Sequence, residues 1–275
     1  MVGLSIGLLV VAVAMGALMV SRGISSTVSD ASGIQQQGAH ILRVIGQQLR
    51  QAGSLYLNPN PTNPTGVTST DVLSPVVFEI KADANGGGNS FSLQDTLVGG
   101  VNTVTTGFRR YQDNVFFADN ATNAVIGTDF LARNCVGAPG NDKTDERVES
   151  IFSFADGNIR CGGNGATAQP VAQNVAEFLV TYLVQTTDAT GLKVQYIKGS
   201  DMPTSNAADP VWRRVQGVQV CLVLYGSEPV SLPAGSSYTD CQGNSVDITT
   251  LTSPRNNRMH LLFRNTFQLR SQGLL

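Results

Sequence analysis

The sequence predicts an α+β protein in which one long N-terminal α-helix packs on an antiparallel β-sheet domain with disulfide-tied loops. Three observations predict this arrangement. Met1 to Val20 carry no charge and almost nothing polar, and twenty helical residues at about 1.5 Å each reach the ~30 Å of a bilayer's hydrocarbon core. The apolar residues then settle into a stripe, Ile34, Ile41, Leu42, Ile45, Leu49 and Ala52, at spacings that describe one face of a helix. Beyond Asn58 the chain is rich in Gly, Thr, Asn and Ser with β-branched runs between them, which favours strands joined by many turns.

The division that follows is a helix over 1–57, apolar over 1–21 and amphipathic over 22–57, and a β-rich unit over 58–275. Gln36, Gln37, His40, Arg43, Gln47, Gln48, Arg50 and Gln51 form the polar face of the second half, and Ile34, Ile41, Ile45 and Leu49 the face that covers a sheet. No basic stretch precedes the apolar run, and no small-residue cleavage site follows it, so a retained segment fits better than a removed signal peptide. Gly3 with Gly7 and Ala12 with Gly16 repeat the small-xxx-small spacing that lets apolar helices approach closely. Gly23, Gly33, Gly38, Gly46 and Gly53 continue through the polar half. Each costs about 1 kcal/mol against alanine in a helix interior, so they read as weak points, with Gly23, Ser25 and Ser26 the expected place for bending. The helix must end before Asn58-Pro59, because proline disfavours helix at the residue before it.

In the β-rich part, Val76–Ile80 reads as the first strand, with a hairpin around Gln112-Asp113-Asn114 and another at Asp156-Gly157, where Asp-Gly supplies the positive φ of a tight turn. Val175–Val184, Leu192–Ile197, Val218–Tyr225 and Met259–Leu269 are the strongest strands, and Asp209-Pro210 opens a short helix through Trp212. The stripe on the helix is the natural cover for one apolar sheet face.

Cys135, Cys161, Cys221 and Cys241 all lie beyond the apolar segment, and an even number in an exported domain reads as two disulfides with three possible connectivities. Sequential pairing, Cys135 with Cys161 and Cys221 with Cys241, closes two local loops, each of which would restrict the unfolded chain by about 3 kcal/mol. A zinc site is disfavoured because there is no CxxC, and His40 and His260 are distant in sequence from the cysteines. A net charge of −2 and a charged fraction of 14% give no basic footprint for nucleic acid. No enzyme chemistry or cofactor site is expected. Both histidines read as surface groups, Gly162-Gly-Asn-Gly165 lacks the lysine of a phosphate loop, and Asp142, Asp145, Glu146 and Glu149 read as a solvated acidic loop. Trp212 beside Arg213 and Arg214 reads as a core tryptophan with flanking charges, and Asn120-Ala-Thr122 as a glycosylation sequon by pattern only.

Met1-Val-Gly-Leu-Ser-Ile-Gly-Leu-Leu-Val, the helix end Arg43-Val-Ile-Gly-Gln-Gln-Leu-Arg-Gln-Ala-Gly53, the strand Val218-Gln-Val-Cys-Leu-Val-Leu and the final Leu262-Phe-Arg-Asn-Thr-Phe-Gln-Leu-Arg270 together resemble the type IV pilins and pseudopilins, most of all minor pilins of the PilW type. The family's basic leader, Gly-Phe cleavage site and fifth-position glutamate have no counterpart, and the alignment through Gly7, Ser21 and Arg22 sets Met1 just after that glutamate. The resemblance implies a structural subunit of a type IV pilus whose hydrophobic helix waits in the inner membrane and then packs into an extracellular filament. Its implied partners are other pilin subunits and the pilus assembly machinery, and its β-domain would serve surface contacts, adhesion or assembly initiation. A type II secretion pseudopilin is the neighbouring reading. A single-span periplasmic protein without a filament role is the other, though a mere anchor needs no amphipathic extension.

Overall fold

A computed structural model describes residues 2–54, 57–58, 77–78, 81–82, 91–92, 96–110, 112–119, 123–143, 147–188, 191–203 and 211–269. Helix α1 runs unbroken over Val2–Gln51, straight through Gly23. It stops before the prolines do their work. Gly53 takes φ +73°, the left-handed conformation that commonly closes a helix, and its N–H donates to the Gly107 carbonyl at 2.8 Å. The helix end is thus set by docking to a strand as well as by local sequence.

Four short strands, β1 (Leu57–Asn58), β2 (Val77–Phe78), β3 (Lys81–Ala82) and β4 (Phe91–Ser92), pair as β1–β2 and β3–β4. Most of the expected strand Val76–Ile80 lies outside the described residues. Next come β5 (Leu97–Gly99), β6 (Thr103–Arg109), β7 (Gln112–Asp119), β8 (Asn123–Phe130), β9 (Arg147–Ala155), β10 (Asn158–Gly163) and β11 (Ala166–Ala172). The last group is β12 (Val175–Asp188), β13 (Gly191–Lys198), β14 (Val215–Pro229), β15 (Ser237–Thr239), β16 (Ser245–Asp247) and β17 (Arg258–Gln268).

Two sheets carry the core. One has five strands in the order β11-β10-β9-β6-β5, the other four in the order β13-β12-β14-β17, all antiparallel. The Asp156-Gly157 turn joins β9 to β10 with φ of 51° and 69°, as the sequence predicts. The hairpin expected around Gln112-Asp113-Asn114 is not there. Those residues lie inside β7, which pairs with β8 from Gln112–Phe130 to Asp119–Asn123; the sequon, 120–122, lies outside the described residues. Val115, Phe116 and Phe117 supply the β-forming residues that outweigh the turn propensity of Asp113 and Asn114. The short helix near Trp212 is a single 3-10 turn, Trp212–Arg214, preceded by Val211; Asp209 and Pro210 lie outside the described residues.

Phe178, Val180, Tyr182 and Val184 of β12 and Val218, Val220 and Leu222 of β14 are buried on one face of the four-stranded sheet. Tyr182 packs edge-on against buried Trp212 at 5.0 Å between ring centres, and the indole N–H donates to the Pro203 carbonyl at 3.2 Å. Burial without a partner for the charged form pushes the Tyr182 phenol well above its usual range. Both sheets share this core, since Phe152, Ile159 and Val104 of the five-stranded sheet belong to the same buried cluster. Cys135 is bonded to Cys161 and Cys221 to Cys241, with Cα–Cα distances of 6.2 and 5.8 Å.

Candidate assembly interface

The helix has two halves with opposite surroundings. Ile41, Ile45, Leu49 and Ala52 are completely buried and Ile34 nearly so, against β14 and β17. From Val2 to Met19 every residue of the helix is exposed. Its mean hydropathy there is 2.4 with none of it buried, and Leu4 is 74% exposed. That segment is long and apolar enough to cross a membrane.

Two glycines decide how the lower half docks. A methyl group on Gly38 would come within 2.6 Å of the Phe263 ring, and one on Gly46 would collide with the edge of the Phe267 ring. Eight helical residues rise about 12 Å and four strand residues about 13.5 Å, so the two glycines and the two rings come into register along roughly parallel axes. Gly38 and Gly46 are therefore contact sites, which corrects their reading as weak points. The helix forfeits propensity there and gains two aromatic rings set against its backbone. Gly33 faces open space and has no such role.

Gln48 also departs from the polar face assigned to it. It is buried, and its Oε1 accepts the Ser150 hydroxyl at 2.9 Å, while Ser150 Oγ accepts the Cys135 N–H at 3.3 Å. A polar group tolerates burial when its hydrogen bond is kept, and here that bond ties the helix to the five-stranded sheet.

At the upper limit of the docked region stands Asp30, the sole carboxylate of α1. Its Oδ1 accepts from the Ser227 N–H at 2.9 Å and from the Ser227 hydroxyl at 2.8 Å. Gly226 lies so close to this carboxylate that any side chain there would collide with it. Arg258 holds the strand end from behind, donating from Nη1 to the Gly226 carbonyl at 2.9 Å and to the Ser227 carbonyl. Sequence reasoning passed over this clasp; the signal available was one acid in a fifty-residue helix.

Gly3, Gly7 and Gly16 have open space where a side chain would stand, and Ala12 is exposed. The isolated chain gives these four residues no partner, while Ile34, Ile41, Ile45 and Leu49 are consumed by the sheet. His40 is exposed on the helix. His260, expected at the surface, is instead buried, stacked on Tyr238 at 4.4 Å and near Tyr225 at 5.8 Å between ring centres. Its Nδ1 lies 2.9 Å from the Arg258 carbonyl. Burial lowers its pKa below the usual imidazole value, opposed by that carbonyl and reinforced by nearby Arg255. The long connection after β14 brings Tyr238 over His260.

Among the described residues no group of three or more His, Cys, Asp or Glu side chains could hold a metal. Asp142 is exposed and pairs with its neighbour Lys143 at 3.5 Å, and Asp145 and Glu146 lie outside the described residues. Gly162-Gly-Asn-Gly165 closes β10 and, through Asn164-Gly165, turns into β11, with Asn164 Nδ2 donating to the Arg147 carbonyl at 2.7 Å.

An exposed apolar half-helix continuing into a half that covers a sheet is the design the sequence resemblance implied. Residues 146–271 match the model of the type IV pilus-assembly protein W family, PilW. The chain is PilW-like over this stretch. The match begins well before the terminal strands that first carried the resemblance, taking in β9 to β13 as well, and bears out the recognition. Among solved structures, a type IV-like pilin from Thermus thermophilus is 14% identical, over 86% of this chain and 96% of that one, with a TM-score of 0.38. No curated protein matches.

Proposed function

We propose that this chain is a structural subunit of a type IV pilus, of the minor PilW-like kind, that assembles through the bare half of its N-terminal helix. The observation that carries the reading is the contrast along α1: Val2–Met19 wholly uncovered, and Ile34 to Ala52 fixed to the sheets. In the inner membrane lipid covers the apolar half. In the filament the helices of neighbouring subunits replace lipid, and close packing at Gly3, Gly7, Ala12 and Gly16 takes over from acyl chains. The two-sheet head, rigidly joined at Gly38, Gly46, Gln48 and Asp30, travels with the helix to the filament surface, where it serves adhesion, partner contacts or the start of assembly. The PilW match supports a role in pilus assembly, and the composition of Val2–Met19 supports anchoring before it.

The test is to shear surface filaments from cells expressing the chain, probe them for it, and image them by electron microscopy. Recovery in the sheared fraction, with residues 2–19 in the filament core, is expected. Recovery solely in detergent-extracted membrane, with piliation unchanged on deletion, would favour a single-span envelope protein.

A further inference from the structure

On the sheet face turned away from the helix, β12 and β14 set Thr181 beside Gln219 and Leu179 beside Cys221. A cleft of about 430 Å³ opens over them, walled by Cys241–Asn244 on one side and Lys198–Ser200 on the other. Both walls are fixed before any ligand arrives. The first is bonded through Cys221–Cys241; Glu177 Oε2 accepts the Cys241 N–H at 2.9 Å and Arg264 Nη2 donates to the Cys241 carbonyl at 2.8 Å. Asp240 shapes the turn by accepting from the Gln242 and Asn244 N–H groups at 2.8 and 2.7 Å. In the second wall, Gly199 packs so tightly on the Gly100 carbonyl that no side chain fits. A preformed hollow of this size is what a small ligand needs.

The free groups in the cleft have a particular chemistry. Gln219 spends its Nε2 on the Thr266 hydroxyl at 3.2 Å, which leaves Oε1 as an acceptor. Asn244 spends its Nδ2 on Asp240 at 3.0 Å, which leaves Oδ1 as another. Thr181 can donate and accept, and exposed Lys198 has no carboxylate within ion-pair distance among the described residues. A phosphate or sulfate wants donors alone, and two fixed carbonyl oxygens repel it. An apolar ligand would strip water from those same oxygens and leave them unpaired. Sugar hydroxyls answer both kinds of group, and Leu179 with the disulfide offers a small apolar floor for a ring's C–H face. Tyr196, 63% exposed, stands two residues before Lys198 on the same face of β13, beyond the residues that line the cleft.

We propose that this cleft binds an acidic saccharide, with hydroxyls held by Gln219, Asn244 and Thr181 and a carboxylate held by Lys198. No residue of α1 lines the site. The probe is trigalacturonate, titrated by calorimetry against the full chain in micelles of a detergent without a sugar headgroup, with maltotriose and a tri-glutamate peptide as comparisons. Saturable binding of trigalacturonate is expected, tighter than either comparison. Lys198→Gln and Gln219→Leu should each weaken it about tenfold, the loss of one good polar contact. Lys193→Gln, exposed on the opposite face of β13, should leave it unchanged, and circular dichroism should show all three variants folded. The proposal is overturned by the absence of saturable binding, by undiminished binding to folded Lys198→Gln, or by tri-glutamate binding as tightly, which would make the cleft a general acceptor of acidic chains.

Discussion

The two halves of α1 are equally helical and both rich in aliphatic residues, yet Leu8 is 64% exposed while Ile41 is completely buried. The difference teaches that apolar content and apolar destination are separate properties. In the lower half the aliphatic residues occupy one stripe and glutamines the rest, so the half is complete once a sheet covers that stripe. In the upper half they surround the axis, and no single sheet can cover a cylinder. That half needs an environment on every side, lipid or other helices. Asp30 marks the change, since its clasp on Ser227 is where the folded head lets the helix go.

The comparison breaks most sharply with matched truncations. Ile45→Ala should lower the stability of the head by about 2–5 kcal/mol, the usual cost of emptying a core site. Leu9→Ala should leave head unfolding unchanged and act only on membrane retention or filament yield. Denaturant melts of the full chain in detergent check both; a large loss of head stability from Leu9→Ala would end the division into halves. Gly46→Ala comes next. Overpacking against Phe267 should cost about 1–3 kcal/mol, although alanine favours helix, whereas Gly33→Ala should be neutral or slightly stabilising. A stabilised Gly46→Ala would restore the weak-point reading.

Asp30→Ala should have a smaller and more local effect. The Ser227 donors reach water when the carboxylate is gone, so the cost falls near 1 kcal/mol, typical of a net hydrogen-bond loss. Hydrogen exchange should show α1 opening nearer Ile34 while amides at Ile41 and Ile45 keep their protection. The smallest effect is a pH dependence. The folded-state pKa of His260 lies below its ordinary 6.5, so above that pH the imidazole is neutral in both states and its neighbours keep their full stability. As pH falls below it the unfolded chain takes up the proton first, and stability declines until the folded form is protonated too. His260→Phe should flatten this slope in thermal melts between pH 7 and pH 5.

The contrast also explains what the linear chain disclosed. The stripe at Ile41, Ile45 and Leu49 was legible because helical periodicity is local, and the long strands around Phe178 and Leu222 were legible because β-branched runs are local too. The Asp156-Gly157 turn was legible for the same reason. The hairpin of β7 and β8 was misplaced because Asp113 and Asn114 carry turn propensity that cross-strand pairing overrides. His260 and Gln48 were misassigned because each is covered by a segment remote in sequence: Tyr238 stacks on one, and Ser150, 102 residues away, donates to the other. The polar cleft left no trace in the sequence at all, since its floor and its two walls come from separate segments.

By itself, the sequence determined that a helix would start apolar, become amphipathic and be followed by antiparallel strands, because these depend on the period of side chains along one element. Only the tertiary structure decided which glycines are contacts and where the helix is released. Gly38 and Gly46 acquire their meaning from Phe263 and Phe267, and Asp30 from a serine 197 residues further on. Those pairings depend on the register of strand against helix, which no local window of sequence contains.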